Sequence, residues 1–184
     1  MSTSTSALVP TGTWTVDPAH SKVGFAVKHM GIANVRGEFT EFEGTLEVAD
    51  DLSSATAHGT VKVDSVDTNE AQRDAHLKSA DFFHGEEHPE LTFTSTAIKP
   101  VDDETFTVTG DLTIHGVTNP ITLTAEVQGT DTDPWGHERV GLEISGQLSR
   151  GDYGMKFNQA LGSGNMLVAD KVKLTLDISA VKQS

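Results

Sequence analysis

The 184-residue sequence contains no cysteine, and this absence removes several kinds of chemistry at once. Without thiols there is no disulfide framework, no cysteine nucleophile and no cysteine-based zinc site. Long apolar runs are missing as well, since no stretch approaches the roughly 20 apolar residues of a membrane-spanning helix. Residues 1–12 carry no Lys or Arg, so they lack the basic region of an export signal. We therefore expect a soluble, cytoplasmic protein with a disordered segment at residues 1–11 and one domain at residues 12–181.

Positive charge is scarce too. The chain has 13 Lys and Arg residues against 27 Asp and Glu, which gives a formal net charge of -14. Nucleic acids and anionic membrane surfaces attract basic proteins, so this balance argues against both as partners. The acidic residues are spread along the chain, which is typical of a solvated acidic surface.

What the sequence does contain is a repeated strand pattern. Phe106, Val108, Leu112 and Ile114 fall on one side of their segment, with Thr, Asp and His residues on the other. This period of two predicts a strand with one dry and one wet face. The pattern predicts strands at residues 12–16, 21–28, 37–39 continuing into 42–48, 55–63, 90–98, 105–114, 118–129, 140–148 and 171–180. Short polar turns separate them, so we predict an all-β, antiparallel up-and-down order closed as a barrel or folded as a sandwich.

Two segments interrupt the strands. The pattern of residues 67–81 predicts one inserted helix of about three turns near 68–80. Asp67 or Thr68 is the predicted N-cap, and Glu70 completes a capping box. Such a helix can plug or cover one end of a barrel. Residues 150–166 are Gly-rich but apolar in part, which is typical of a loop that lines a binding mouth or covers the barrel end.

An apolar barrel interior predicts a tunnel for a long-chain ligand. We expect its wall to contain an excess of aromatic and flexible apolar residues: Phe25, Val27, Met30, Phe39, Phe42, Phe82, Phe83, Phe93, Ile114, Met155, Leu161 and Met166. The alternative is that these side chains simply fill the barrel, because eight-stranded barrels range from filled to ligand-bearing.

Three polar residues are candidates for binding the headgroup of such a ligand, namely His29, Arg73 and His76. The alternative for the histidines is that they hydrogen-bond backbone groups at the barrel rim. Arginine is scarce, which draws attention to Arg73 and also to Arg36 and Arg150. The alternative for all three is a structural salt bridge with a nearby acid, that is, Glu38, Asp74 or Asp152.

No metal site and no catalytic residue is predicted. His84 and His88 are four residues apart with two glutamates between them, but Gly85 and Pro89 argue against the helix that a His-Glu-x-x-His zinc site needs. The spacing therefore favours a solvated loop. The sequence also contains no nucleophile elbow, phosphate loop or dinucleotide fingerprint.

Landmarks along the chain resemble those of a known family. They are Asp17-Pro-Ala-His-Ser21, Val27-Lys-His29, Arg36-Gly-Glu-Phe39, Phe42-Glu-Gly44, Arg73-Asp74 with Leu77, Phe82-Phe83, Pro89, Phe93, Gly110-Asp-Leu-Thr-Ile-His-Gly-Val-Thr118 and Arg150-Gly-Asp-Tyr-Gly154. Over residues 12–181 the chain resembles the bacterial YceI-like family of polyisoprenoid-binding, lipocalin-like proteins. The resemblance implies an extended eight-stranded antiparallel barrel whose apolar tunnel holds isoprenoid chains, quinones or fatty-acyl amides. It also implies a homodimer. Many members begin with an export signal for the periplasm, which Met1–Pro10 does not resemble.

The leading hypothesis is thus a non-enzymatic module that carries or sequesters a polyisoprenoid, an isoprenoid quinone or a fatty-acyl lipid. No cofactor is expected apart from such a lipid. A second hypothesis is an enzyme acting on a lipid-like substrate with His29 or His76 and a carboxylate such as Asp74. A third is a stress or redox accessory protein in which a bound quinone is the working part.

Overall fold

The computed structural model describes residues 9–49, 52–155, 158 and 168–183. Within these ranges the chain forms one α-helix, α1 (Ala71–Leu77), and strands separated by short turns. The strands are β1 (Gly12–Val16), β2 (Lys22–His29), β3 (Ala33–Phe39), β4 (Phe42–Val48), β5 (Thr56–Lys62), β6 (Val66–Asp67), β7 (Glu90–Pro100), β8 (Thr105–Ile114), β9 (Val117–Thr132), β10 (Glu138–Ser149) and β11 (Val168–Lys182).

All strand pairings are antiparallel, and they close into a ring. β1 and β2 act as one long strand broken by a 3-10 turn, because both pair with β11. Likewise β3 and β4 pair with β2 and β1, while β6 continues β5 and pairs with β3. Pairing of β1 with β11 completes an eight-stranded up-and-down barrel. The predicted fold class is therefore confirmed.

The inward faces of the strands form the core. In β8, Phe106, Val108 and Ile114 are buried, as their period-two spacing predicts. Trp14 of β1 and Ile98 of β7 pack in the same cluster as Phe106. Burial of such apolar surface stabilises the fold by about 25 cal/mol per Å².

The helix is shorter than the sequence predicts and begins later. Neither Asp67 nor Thr68 is its N-cap: the Glu70 carboxylate accepts a hydrogen bond from the Arg73 backbone N–H at 2.6 Å. Asp67 belongs to β6, and Asn69 has a positive φ of 64°, so helical geometry cannot start before residue 70. Thr68 instead donates to the Asp74 carboxylate through its backbone N–H and its hydroxyl, which fixes the helix against the end of β6.

The N-terminal residues of the predicted disordered segment divide into two parts. Residues 1–8 lie outside the described residues. Val9 is fully buried in the core cluster, and the Trp14 indole donates to the Pro10 carbonyl at 2.9 Å. Val9 and Pro10, near the end of that predicted segment, are thus packed against the barrel. In the part of the chain that the structure describes, no helix is long and apolar enough to cross a membrane.

Candidate ligand-binding site

The barrel encloses an apolar space, the core cavity, of about 250 Å³. Its wall is made mostly by inward side chains of the strands, among them Trp14, Phe42, Phe93, Phe106 and Leu142. Since apolar groups dominate this wall, it offers dispersion contacts but few hydrogen bonds, and it suits a hydrocarbon chain.

A second space, the helix-side cavity, has a volume of about 290 Å³ and lies under α1 and the loop that follows it. The two cavities share six lining residues, namely Phe25, Phe39, Leu91, Ile114, Leu148 and Leu174. They are therefore neighbours along the barrel interior, and together they fall within the roughly 300–1,000 Å³ of small-molecule sites.

Most of the predicted apolar residues lie in the walls of these cavities. Phe42 and Phe93 line the core cavity, and Phe25, Phe39 and Ile114 line both. The helix-side cavity also has Val27, Phe82, Phe83 and Met155 in its wall. Leu161 and Met166 lie outside the described residues.

Met30 lies elsewhere than the sequence suggests. It occupies the turn between β2 and β3 with a positive φ of 58°, and 39% of its surface is exposed. Met30 is in the wall of neither cavity. The alternation of β2 ends at His29, so the inward face cannot be extended by one residue into the turn.

The prediction overlooked much of the aliphatic wall. Leu46, Val61, Leu112, Leu123, Ile144 and Leu176 line the core cavity together with the aromatics. Each of them lies on the apolar side of an alternating strand, so the period-two pattern that predicts the fold also marks them as lining residues. The predicted wall contained mainly aromatic and methionine side chains and few aliphatic ones, which was too narrow a criterion.

The three predicted headgroup residues lie together in the wall of the helix-side cavity. His29 comes from the end of β2, while Arg73 and His76 come from α1. Lys28, Thr68 and Arg150 also line it. Apart from Thr68, every polar residue in the part of the wall that the structure describes is basic or a histidine, although the chain as a whole has a net charge of -14.

Arg73 is held in place by Thr68. Its Nε donates to the Thr68 hydroxyl at 2.8 Å, and its Nη2 donates to the Thr68 carbonyl at 2.7 Å. Thr68 is 4% exposed and also donates to Asp74, so a buried threonine holds the arginine side chain in place, and not the salt bridge that was the alternative. A braced guanidinium is well suited to bind an anionic group or a carbonyl oxygen.

Arg150 is buried, and it too makes other contacts than the alternative salt bridge. Its guanidinium donates to the backbone carbonyls of Met155, Val168 and Ala169 at 2.7–3.2 Å. Burial lowers the pKa of Arg150 from its ordinary value, although the charge of Asp170 opposes this effect. Its carbon Cζ lies 5.8 Å from the centre of the Phe82 ring, within the range of a cation–π contact. Arg150 thus connects the segment at Met155 with the start of β11, and it adds positive charge to the cavity wall.

His76 contacts Asp81 and Phe82, which follow α1 in the chain. Its Nε2 lies 2.9 Å from the Asp81 carboxylate, and its ring packs edge-on against Phe82 with centroids 5.0 Å apart. The Asp81 side chain is 52% exposed. The pair is therefore a solvated contact that orients the imidazole beside the cavity.

Comparison with known proteins agrees with this architecture. The model of the YceI-like domain matches residues 14–180. Protein YceI of Escherichia coli O157:H7 is 39% identical over 165 residues, which cover 89% of this chain and 83% of that protein. The crystal structure of the Campylobacter jejuni YCEI protein matches with a TM-score of 0.73 at 31% identity, and the match covers 91% of this chain and 96% of that one.

A more distant structure shares the fold alone. A polyisoprenoid binding domain from Saccharophagus degradans matches with a TM-score of 0.70 at 15% identity, covering 92% of this chain and 98% of that one. The family match spans nearly the whole barrel and the helix inserted into it. The chain belongs to the YceI-like family.

Proposed function

We propose that this protein binds one long-chain apolar ligand inside the barrel and carries or sequesters it. The observation that supports the proposal most directly is the pair of adjoining apolar cavities with six shared lining residues. A chain threaded through both would leave water along its whole length. Removal of apolar surface from water favours binding by about 25 cal/mol per Å².

The expected affinity is high. A ligand of about 40 heavy atoms that gains about 0.3 kcal/mol per atom reaches about 12 kcal/mol, which corresponds to a nanomolar Kd. Polyisoprenoids, isoprenoid quinones and fatty-acyl lipids all have chains of suitable shape. The polyisoprenoid binding domain from Saccharophagus degradans, which has the same fold, supports the isoprenoid class.

The helix-side cavity is the proposed headgroup end. Lys28, His29, Arg73, His76 and Arg150 place donors or positive charge there, and its described lining contains no carboxylate. Such a wall favours a headgroup that accepts hydrogen bonds or carries negative charge, such as a phosphate, a carboxylate or a quinone carbonyl. It disfavours a quaternary ammonium headgroup, which would meet like charge.

A probe-displacement series tests this proposal. The protein is first loaded with an environment-sensitive fluorescent fatty acid, and then titrated with competitors of equal chain length that carry an alcohol, a carboxylate, a phosphate or a quinone headgroup. We expect the carboxylate and phosphate to displace the probe at lower concentration than the alcohol. The proposal is wrong if the probe shows no saturable binding after lipids have been extracted from the protein.

Catalysis on the bound lipid is the second candidate, and the His76–Asp81 contact is the observation in its favour. Incubation of the loaded protein with water or nucleophiles, followed by mass analysis of the extracted lipid, tests it. A product that disappears in His29→Ala and His76→Ala would establish an enzyme. Recovery of unchanged lipid supports the carrier.

The homodimer that the family resemblance implies is also a proposal. Among the described residues, Ala33 to Gly37 pair with β2 on one side, and β3 meets β6 only through Glu38 and Phe39. The remaining edge of β3 can pair with the same edge of a second copy. Sedimentation velocity over a range of protein concentrations distinguishes a dimer from a monomer.

A further inference from the structure

Three half-buried histidines meet where the loop after α1 lies beside the turn between β8 and β9. His84 and His88 come from the loop after α1, and His115 comes from the turn between β8 and β9. One ring nitrogen of each lies within 4.8 Å of the others. The ring centroids are 5.3 Å apart for His88 and His115, 5.9 Å for His84 and His88, and 6.1 Å for His84 and His115.

Local backbone structure directs these rings to one point. The His88 N–H donates to the His84 carbonyl at 2.8 Å, which forms a single helical turn and brings the two side chains to the same side. His84 and His115 both have positive φ angles, of 52° and 56°. Positive φ is uncommon for residues other than glycine, and such strained positions are often found at functional sites.

Two glycines leave room for the rings. A β-carbon at Gly116 would lie 2.6 Å from Cε1 of His88, and one at Gly154 would lie 3.2 Å from Nδ1 of His115. Both glycines also have positive φ angles, of 75° and 78°. The backbone around the cluster is therefore shaped to accept two imidazoles in contact with it.

A hydrogen bond from Nδ1 of His115 to the backbone leaves the other ring nitrogen, Nε2, available as a ligand. Its Nδ1 lies 3.2 Å from the Tyr153 carbonyl, which only accepts hydrogen bonds, so the proton resides on Nδ1. In the neutral imidazole, Nε2 is then the nitrogen with a lone pair. Nδ1 of His84 lies 3.6 Å from the Glu87 carboxylate. Histidines that bind metals usually donate their other N–H to a carbonyl or a carboxylate. His115 does so, whereas the 3.6 Å between His84 and Glu87 is an ion-pair distance and not a hydrogen bond.

We propose that His84, His88 and His115 bind a divalent transition metal ion of the zinc, nickel and copper class through three imidazole nitrogens. Imidazole is a preferred ligand of these ions, and the chain has no thiolate to compete for them. Bond lengths of about 2.0–2.1 Å to zinc require the nitrogens to approach one another more closely than 4.8 Å, which rotation of the side chains provides. Water or another ligand completes the coordination.

The position of the site suggests what the ion does. His84 directly follows Phe83, and His115 directly follows Ile114; both of these apolar residues line the helix-side cavity. A bound ion joins the loop after α1 to the turn between β8 and β9. It therefore stabilises this end of the barrel against opening. The metal site itself does not depend on the proposed lipid ligand.

Metal titration of the untagged full-length protein tests the proposal. After treatment with a chelator and its removal, Co²⁺ is added while visible absorption is recorded, and Zn²⁺ is added next. We expect one equivalent of Co²⁺ to bind with the absorption of a low-symmetry site, and Zn²⁺ to displace it. Zinc should also raise the Tm of the parent protein.

Variants locate the ion. His84→Ala, His88→Ala and His115→Ala should each weaken binding by about 100-fold or more, since ligand loss exceeds the 10–100-fold effect of outer-shell changes. His137→Ala is the control, because the His137 side chain is 57% exposed in a hairpin distant from the cluster along the chain. His88→Gln, which keeps most of the side-chain volume, separates loss of a ligand from loss of folding, checked by circular dichroism. The proposal is wrong if the parent binds none of these metals saturably, or if the folded cluster variants bind them as the parent does.

Discussion

The ring of Phe83, on the loop after α1, packs edge-on against the ring of Phe39 on β3, with their centroids 5.7 Å apart. Phe39 in turn packs against Phe25 of β2, at 5.6 Å. This row of aromatic rings joins the loop after α1 to the barrel wall at the place where the two cavities meet. We expect this row to be the barrier that a ligand of the proposed kind passes on this side of the barrel.

Removing that contact should accelerate ligand exchange. In Phe83→Ala the loop loses its packing on Phe39, and a loss of about 1.4 kcal/mol corresponds to a tenfold change in rate. We expect the release rate of a fluorescent long-chain probe, measured by stopped-flow displacement, to rise about tenfold. Trp135→Ala is the control, because Trp135 is 76% exposed and lines neither cavity. An unchanged release rate would show that ligands leave by another route.

Blocking the junction of the cavities should select against long chains. Leu174 lies in the wall of both cavities and pairs with Phe25 across the strands. Leu174→Trp should lower the affinity for long-chain probes by about tenfold or more while short-chain probes still bind. Overpacking costs about 1–3 kcal/mol, so unfolding curves must accompany the titrations. Leu174→Met, which conserves volume, is the control. Equal losses for long and short chains would contradict a continuous tunnel.

Arg73 should distinguish headgroups. Hydrogen bonds to charged groups contribute about 1.5–3 kcal/mol, so Arg73→Met should weaken binding of a carboxylate or phosphate lipid by about tenfold or more. Binding of the alcohol of equal chain length should change little. The ratio of the two affinities is the readout, because a purely structural role of Arg73 would weaken both alike. Arg36→Met is the matched control, since Arg36 is exposed on β3 and outside both cavity walls.

Acid should weaken the fold through Asp17 and Asp133. Hydrogen bonds from His20 and then Arg139 lower the pKa of Asp17 to about 2. Burial raises the pKa of Asp133, but hydrogen bonds from Arg139 and from the His137 and Trp135 backbone outweigh it and lower the pKa to about 2. Both carboxylates therefore stabilise the folded state above their ordinary pKa of 3.8, and this contribution is lost as pH falls through about 2.

Arg139→Met tests the origin of this dependence. The Arg139 guanidinium donates to Asp17 at 2.9 Å and to Asp133 at 2.8 Å, so its removal should raise both pKa values. We expect a lower free energy of unfolding at neutral pH and a weaker decline between pH about 4 and about 2, measured by urea denaturation. Arg36→Met should keep the parent's pH profile. A parent-like profile in Arg139→Met would exclude the arginine as the cause.

The strands were predictable because their alternation is strong, whereas the helix start and β3 were not. β3 begins at Ala33 rather than at the predicted Gly37, because pairing with β2 supplies order that Ala33 and Asn34 do not indicate by themselves. The helix begins after Asn69, whose positive φ no capping pattern reveals. Propensity is a weak guide where tertiary pairing decides.

The two polar sites were predictable to different degrees. His29 and His76 were chosen because Gly-rich or helical segments present them, and Arg73 because arginine is scarce; the structure brings the three into one cavity wall. The histidine cluster was not predictable, because His115 lies far along the chain from His84 and His88 and reaches them only when the β8–β9 turn meets the loop after α1. Spacing within one segment cannot report on such a contact.

Native mass spectrometry of the freshly purified protein tests the central claim most directly, when it is combined with organic extraction and mass analysis of what is released. The account predicts a discrete long-chain adduct, and its mass distinguishes an isoprenoid, a quinone and a fatty-acyl lipid. A quinone would also absorb in the ultraviolet. A clean mass of the protein alone, unchanged after incubation with a lipid mixture, would contradict the account, because the barrel would then be filled by its own side chains.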